Sequence, residues 1–163
     1  MVFNAVRIGI GVAILAGVAC LTGQDHSRDP IVVTQARPAA VTRARLGLFA
    51  PAPRSALIVT VTEYAPARSG TVSIVVGLRH TKSGLTHEIG RFGIFPNQAF
   101  KAAGPDDIQR FRIPVTQEHA RLLDDDDVRL TVAVEPAGGN GEGARVVIES
   151  ILWDADPPTA SRP

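Results

Sequence analysis

The chain has 163 residues, 45% of them hydrophobic and 20% charged, which is enough apolar material for one folded domain with its own core. Its 17 basic and 16 acidic residues give a formal charge of +1, and this balance argues against nucleic acid as a partner. The single cysteine excludes a disulfide within the chain.

The first 19 residues have the layout of a secretory signal peptide. One positive charge, Arg7, precedes the uncharged run 8–18, and the small residue Ala19 stands before Cys20. Signal peptides use an apolar core of roughly 7–15 residues, whereas a membrane span needs about 20. We predict that residues 1–19 are removed on export, which leaves equal numbers of basic and acidic residues.

The stretch Gly17-Val18-Ala19-Cys20 resembles the lipobox of bacterial lipoproteins, in which the cysteine is lipidated and becomes the mature N-terminus. The resemblance implies that Cys20 anchors the protein to a bacterial membrane, facing the periplasm. A lone exported cysteine has no disulfide partner, which also favours attachment. Ordinary secretion after Ala19, with Cys20 left as a free thiol, is the alternative.

Residues 20–54 are rich in alanine, proline and arginine and show no sustained hydrophobic period. Such a composition favours an extended linker over a packed core. We therefore predict a flexible tether, and we expect the chain from Ser55 onward to fold without it. The segments "IVVTQ" and "LGLFA" are the two places in the tether where an edge strand could form.

Period-two alternation of β-branched and apolar residues begins after Ser55 and is typical of strands. Turn residues separate the strands, so neighbours are expected to pair antiparallel. The predicted strands are "ALIVTVTEY", "TVSIVVGLRH", "LTHEIGRFGIF", "QRFRIPV", "VRLTVAVEP" and "ARVVIESILW".

One segment, "TQEHARLL", is predicted to be helical, because Thr116 can cap its start and Ala120 and Leu123 form an apolar stripe. The fold class is thus all-β, an antiparallel β-sandwich of about six or more strands with one short helix over residues 55–153. Residues 154–163 are expected to be a disordered tail.

The core of this sandwich is predicted from residues on the alternating faces of the strands. These are Val59, Val61, Ile74, Val76, Phe111, Ile113, Leu130, Val132, Val134 and Ile148.

The segment "LTVAVEPAGGNGEGARVVIESILW" resembles the terminal hairpin of the C-terminal domain of bacterial tyrosinases and plant polyphenol oxidases. "FRIPVTQEHARLL" and "HEIGRFGIFPNQAF" are similar to other parts of that domain, so the resemblance covers about residues 71–153. In that family a separate helical domain binds copper, and the β-domain covers the copper site. The resemblance therefore implies an accessory domain rather than phenol oxidation by this chain.

His80 and His87 flank the predicted turn "TKSGLT" and could face each other across a hairpin. Paired imidazoles bind copper or zinc, but two ligands are too few to define a site. Exposed polar residues are the favoured interpretation, and we expect no metal or cofactor. The glycine-rich "AGGNGEGAR" lies between two strands and is interpreted as a flexible hairpin loop without phosphate binding.

The segment "GRFGIFPNQAF" contains Phe92, Phe95 and Phe100 around a turn at Pro96. Phe92 and Phe95 cannot share one strand face, and Phe100 lies beyond the turn, so at least one ring is expected to face a partner. Phe95 and Phe100 are the predicted partner-binding residues, because binding energy concentrates in aromatic anchors.

The sequence thus predicts a non-catalytic exported lipoprotein with a β-sandwich binding or accessory module, whose protein partner is an exported oxidase if the resemblance holds. A structural lipoprotein of the cell envelope is the alternative, and a metal-handling protein using His80 and His87 is the second alternative.

Overall fold

The computed structural model describes residues 29–41 and 55–154, which hold nine strands, one α-helix and one short 3-10 helix. The helix α1 spans Gln117–Leu122 and the 3-10 helix spans Pro105–Asp107. The strands are β1 (Ile31–Thr34), β2 (Ala39–Val41), β3 (Ala56–Ala65), β4 (Val72–His80), β5 (Thr86–Phe92), β6 (Phe100–Lys101), β7 (Gln109–Pro114), β8 (Val128–Pro136) and β9 (Arg145–Trp153).

Two antiparallel sheets form the molecule. Sheet A has the order β1-β9-β3, and the far side of β3 pairs first with β7 and then with the short β6. Sheet B has the order β2-β8-β4-β5. Each of the six predicted strands is present, and the prediction of an all-β antiparallel sandwich is confirmed.

The core lies between the sheets and is made of the inward-facing residue of each alternating pair. Nine of the ten predicted core residues are buried. The tenth, Phe111, is half-buried because it lies at the sandwich edge, where it stacks on Phe92 with ring centroids 4.1 Å apart. At the same edge a Cβ on Gly90 would lie 2.9 Å from Cγ2 of Ile113, so glycine lets β5 and β7 approach closely.

The prediction of a tether through residue 54 is wrong for two segments, because β1 and β2 belong to the sandwich. β1 pairs with the edge of β9 and buries Ile31 and Val33 in the core. Reciprocal backbone hydrogen bonds between Thr34 and Arg37 then turn the chain from sheet A to sheet B, where β2 pairs with β8. β1 lies in "IVVTQ", one of the two segments where an edge strand could form. β2 is not predicted, because three residues are too few to show a period and the surrounding proline and alanine favour a linker.

A chain beginning at Ser55 would lack these two strands and the buried side chains of Ile31 and Val33, so we expect it to be less stable than the full chain. The segment "LGLFA", the signal peptide 1–19, Cys20 and residues 155–163 lie outside the described residues. Asp154, predicted to belong to the disordered tail, is instead attached to the sandwich. Its N–H donates to the carbonyl of Ala56 (2.9 Å) and its carboxylate pairs with Arg112 (2.7 Å).

The helix α1 forms where it is predicted and for the predicted reason. The hydroxyl of Thr116 accepts a hydrogen bond from the N–H of His119 (3.2 Å), which satisfies a donor of the first turn. In the described part of the chain, no helix is long and apolar enough to cross a membrane.

Candidate binding surface

Three connections meet at one end of the sandwich, and we call them the loop platform: residues 66–71, 93–99 and 137–144. The strand registers place them there, because β3 and β5 end and β4 and β9 begin at the same level of the two sheets. The β4–β5 turn and α1 lie at the opposite end, where His80 pairs with Val128.

Backbone hydrogen bonds join two of the three loops. The N–H of Arg68 donates to the carbonyl of Glu142 (2.8 Å), and the N–H of Thr71 donates to that of Gly138 (3.1 Å). In return the N–H of Ala137 donates to the carbonyl of Thr71 (2.9 Å). The glycine-rich loop connects two strands as predicted, but the prediction of a hairpin is wrong, because β8 lies in sheet B and β9 lies in sheet A. The loop crosses from one sheet to the other and is hydrogen-bonded to loop 66–71.

Glycine is required where these two loops cross. Gly70 and Gly139 both have positive φ, +79° and +74°, a region that side-chain-bearing residues rarely adopt. A Cβ on Gly70 would lie 1.8 Å from the carbonyl oxygen of Gly138, and one on Gly139 would lie 2.5 Å from that of Ser69. The loops therefore pack backbone against backbone, closer than any side chain would allow.

Side chains add a polar rim to the same contact. The guanidinium of Arg68 pairs with the carboxylate of Glu142 at 2.9 Å, and the hydroxyl of Ser69 donates to Oδ1 of Asn140 at 3.2 Å. Both pairs are exposed, so each contributes little stability, about 0–1 kcal/mol for the ion pair. They extend the contact between the two loops to its solvent-exposed rim.

The third loop, residues 93–99, is attached to the core by a hydrogen bond. Tyr64 on β3 is only 2% exposed, and its hydroxyl donates to Oδ1 of Asn97 at 2.6 Å. The amide Nδ2 of Asn97 in turn donates to the carbonyl of Gly70 at 3.4 Å, which ties loop 93–99 to loop 66–71. Burial also raises the pKa of Tyr64 above its ordinary value, because the charged phenolate would lose its hydration.

Phe95 stands out on this platform because its side chain is 92% exposed. The preceding Ile94 is buried, and the Phe95–Pro96 peptide bond is cis. The N–H of Gln98 donates to the carbonyl of Pro96 at 2.7 Å, which closes the turn behind the ring. A large apolar side chain thus projects into solvent from a turn that is anchored on both sides.

The other two predicted rings are placed differently. Phe92 stacks on Phe111 at the sandwich edge, and Phe100 in β6 is half-buried with its ring centroid 6.4 Å from that of Tyr64. Of the two predicted partner-binding residues, Phe95 is therefore presented to solvent and Phe100 packs against the core.

His80 and His87 are adjacent at the opposite end of the sandwich. Their ring centroids lie 6.0 Å apart in an edge-to-face arrangement, as expected from a hairpin. Within residues 29–41 and 55–154, no group of three or more histidine, cysteine, aspartate or glutamate side chains is arranged to hold a metal ion. The two imidazoles are thus a neighbouring pair without a third ligand from the described residues.

The fold and the platform together define a β-sandwich whose terminal loops carry one exposed aromatic residue. No protein-family model matches this chain, and no curated protein or solved structure matches it significantly. The similarity to the tyrosinase C-terminal domain and the lipobox at Cys20 both stay predictions from the sequence.

Proposed function

We propose that this protein is a non-catalytic binding module, exported and attached to a membrane through lipid on Cys20, that captures a protein partner with its loop platform. Phe95 is the central anchor of this surface. The single observation that carries the proposal is the 92% exposure of Phe95 on a turn fixed to the core and to the neighbouring loop.

Fixed geometry is what makes this residue suitable for binding. Aromatic anchors contribute a large share of the energy at protein interfaces, particularly when they enter a pocket on the partner. A ring whose supporting loop is already ordered loses little conformational freedom on association, so more of its burial energy appears as affinity. The Tyr64–Asn97–Gly70 connection provides that order.

The direction of β1 shows that the chain enters the sandwich at a distance from the platform. β1 begins at Ile31 opposite Ile148, near the middle of β9, and runs toward the platform, ending at Thr34 opposite Arg145. The chain before Ile31 therefore approaches from the side away from the platform. The eleven residues from Cys20 to Pro30 can span at most about 36 Å, so an anchor at Cys20 would keep the sandwich near the membrane.

The resemblance to the tyrosinase domain suggests an exported oxidase as the partner. In that role the sandwich would act as an accessory domain supplied on a separate chain. The loop platform is the surface offered to the partner, whichever exported protein it is.

Photo-crosslinking in intact cells tests the proposal. p-Benzoylphenylalanine is placed at position 95 in one variant and at position 85 in the control. Leu85 is also apolar and exposed (62%), but it lies in the β4–β5 turn at the other end. We expect a discrete crosslinked protein from position 95 alone. The same crosslinks from both positions, or none from position 95, would contradict capture through the platform and favour the structural envelope role.

A further inference from the structure

Two arginines lie directly opposite each other on the outer face of sheet B. Arg79 on β4 is in register with Arg129 on β8, and both neighbours of Arg129 along the strand are buried, so the two guanidinium groups share the solvent face. Like charges directly opposite on neighbouring strands are destabilising. Arg129 donates through Nη1 to the carbonyls of Asp126 (2.5 Å) and Val128 (3.0 Å).

Arg79 has no carboxylate as an ion-pair partner in the part of the chain that the structure describes. Glu88, on the adjacent β5, is engaged by Arg91 through two hydrogen bonds of 2.8 and 2.5 Å, and Arg91 also reaches Glu135 at 3.8 Å. Among residues 29–41 and 55–154, no carboxylate lies within ion-pair distance of Arg79. An exposed guanidinium fork beside a second positive charge is therefore available to an external anion.

A hollow of about 230 Å³ lies beside this guanidinium. Gly77 on β4 pairs with Thr131 next to this hollow, and a Cβ there would lie 2.9 Å from the carbonyl oxygen of His87, so glycine lets β5 pack closely on β4. The hollow is lined by Pro38, Ala39, Arg79, Thr86, Thr131 and Ala133.

The chemistry of this lining combines one cation with hydroxyl groups and an apolar wall. The hydroxyl of Thr131 already donates to the carbonyl of Gly77 at 3.2 Å, which leaves Thr86 as the hydroxyl able to donate to a ligand. Pro38, Ala39 and Ala133 supply the apolar part. At 230 Å³ the hollow is smaller than the roughly 300–1,000 Å³ of drug-sized ligand sites, so its ligand is small.

We propose that this hollow binds a short organic carboxylate, with the carboxylate group on Arg79 and Thr86 and the carbon chain against the apolar wall. Arginine is suited to this because its planar fork matches the two oxygens of a carboxylate. The site shares no residue with the loop platform, so this proposal is independent of partner capture through Phe95.

The test is a titration of the exported full chain, purified in detergent and labelled with ¹⁵N, using propionate as the probe. We expect saturable amide shifts at Arg79, Thr86 and Thr131. Arg79→Gln should weaken binding at least tenfold. Arg110→Gln is the matched control, because Arg110 is exposed on β7 of the other sheet, and it should bind propionate as the wild type does.

A second variant tests the hollow itself. Ala133→Leu fills it from the side of the apolar wall, and it should weaken propionate binding while the amide spectrum elsewhere stays unchanged. Absence of shifts at the lining residues, equal binding by Arg79→Gln, or equal loss in Arg110→Gln would overturn the site. Inorganic phosphate binding as tightly as propionate would overturn its assignment to carboxylates.

Discussion

The hydroxyl of Tyr64 donates a 2.6 Å hydrogen bond to the side-chain oxygen of Asn97, and this contact connects the core of the sandwich to the turn that carries Phe95. Tyr64 is buried on β3, whereas Asn97 is exposed. This hydrogen bond therefore attaches the surface turn to the rigid core. Loss of this hydrogen bond should therefore affect both the stability of the protein and the position of Phe95.

Replacing Tyr64 by phenylalanine removes this hydrogen bond and keeps the buried ring. We expect the free energy of unfolding to fall by about 0.5–1.5 kcal/mol in urea denaturation, the usual net contribution of such a bond. Asn97→Ala should cost at least as much, because it also removes the hydrogen bond to the Gly70 carbonyl. The double variant should cost little more than Asn97→Ala alone, because both changes remove the Tyr64–Asn97 contact. Additive losses would show that the two side chains act separately.

The same residue predicts a pH dependence at alkaline pH. Burial raises the pKa of Tyr64, so the folded state holds this proton more tightly than the unfolded state does. The corresponding stability is complete below the unfolded pKa of about 10 and is lost as the pH rises toward the folded value. The wild type should therefore lose more stability than Tyr64→Phe above that pH. Tyr64 is the only tyrosine of the chain, so phenolate absorbance reports its titration directly, and an unshifted titration would contradict the prediction.

Alanine substitutions at Gly84 and Gly70 distinguish the free-energy cost of a positive φ from the cost of a steric clash. Gly84→Ala has nothing within 4 Å of the new Cβ, so it should cost about 1–2 kcal/mol for the positive φ of +71° alone. Gly70→Ala has a similar φ but meets the Gly138 carbonyl at 1.8 Å. It should cost at least about 1–3 kcal/mol more, since the loops must separate. Equal thermal denaturation midpoints for the two variants would mean that the loop crossing is not tightly packed.

Adjacent valines test whether β1 belongs to the sandwich. Val33 is 0% exposed and faces the core, whereas Val32 is 44% exposed on the outer face of sheet A. Val33→Asp places a charge in the core and should prevent cooperative folding, because an unpaired buried carboxylate costs several kcal/mol. Val32→Asp should change stability only slightly. Circular dichroism melts distinguish these outcomes, and tolerance of Val33→Asp would restore the prediction of a tether.

Lipid attachment is tested at Cys20. The wild-type protein should incorporate labelled palmitate and sediment with membranes, whereas Cys20→Ser should do neither. The reason is that the sulfur is the predicted attachment atom and the apolar run before it is removed on export. Unlabelled wild-type protein in the soluble fraction would instead indicate secretion after Ala19.

Local patterns determined much of this fold. Alternation of apolar and polar residues is sufficient to predict β3, β4, β8 and β9, and hence the core that those strands bury. Thr116 correctly marks the start of α1. These features can be predicted because they depend on a few consecutive residues. The hydrophobic period of those residues indicates which face of the strand or helix is buried. Adjacency of His80 and His87 follows in the same way from a short hairpin.

The candidate surfaces were only partly predictable. The segment around Phe95 was identified, but the sequence did not distinguish Phe95 from Phe100, because exposure depends on whether β6 pairs with β3. The proposed carboxylate-binding hollow was not predicted. Arg79 and Arg129 are 50 positions apart, and only the register between β4 and β8 places them opposite each other.

Contacts between distant residues were decided by the tertiary structure. Tyr64 and Asn97 are 33 positions apart, and the crossing of Gly70 with Gly138 joins the loop after β3 to the loop after β8. β1 consists of β-branched residues that favour a strand, but its place in the sandwich depends on the backbone hydrogen-bonding groups that the edge of β9 offers. In each case the stabilising partner is supplied by topology, so no property of the local sequence can specify it.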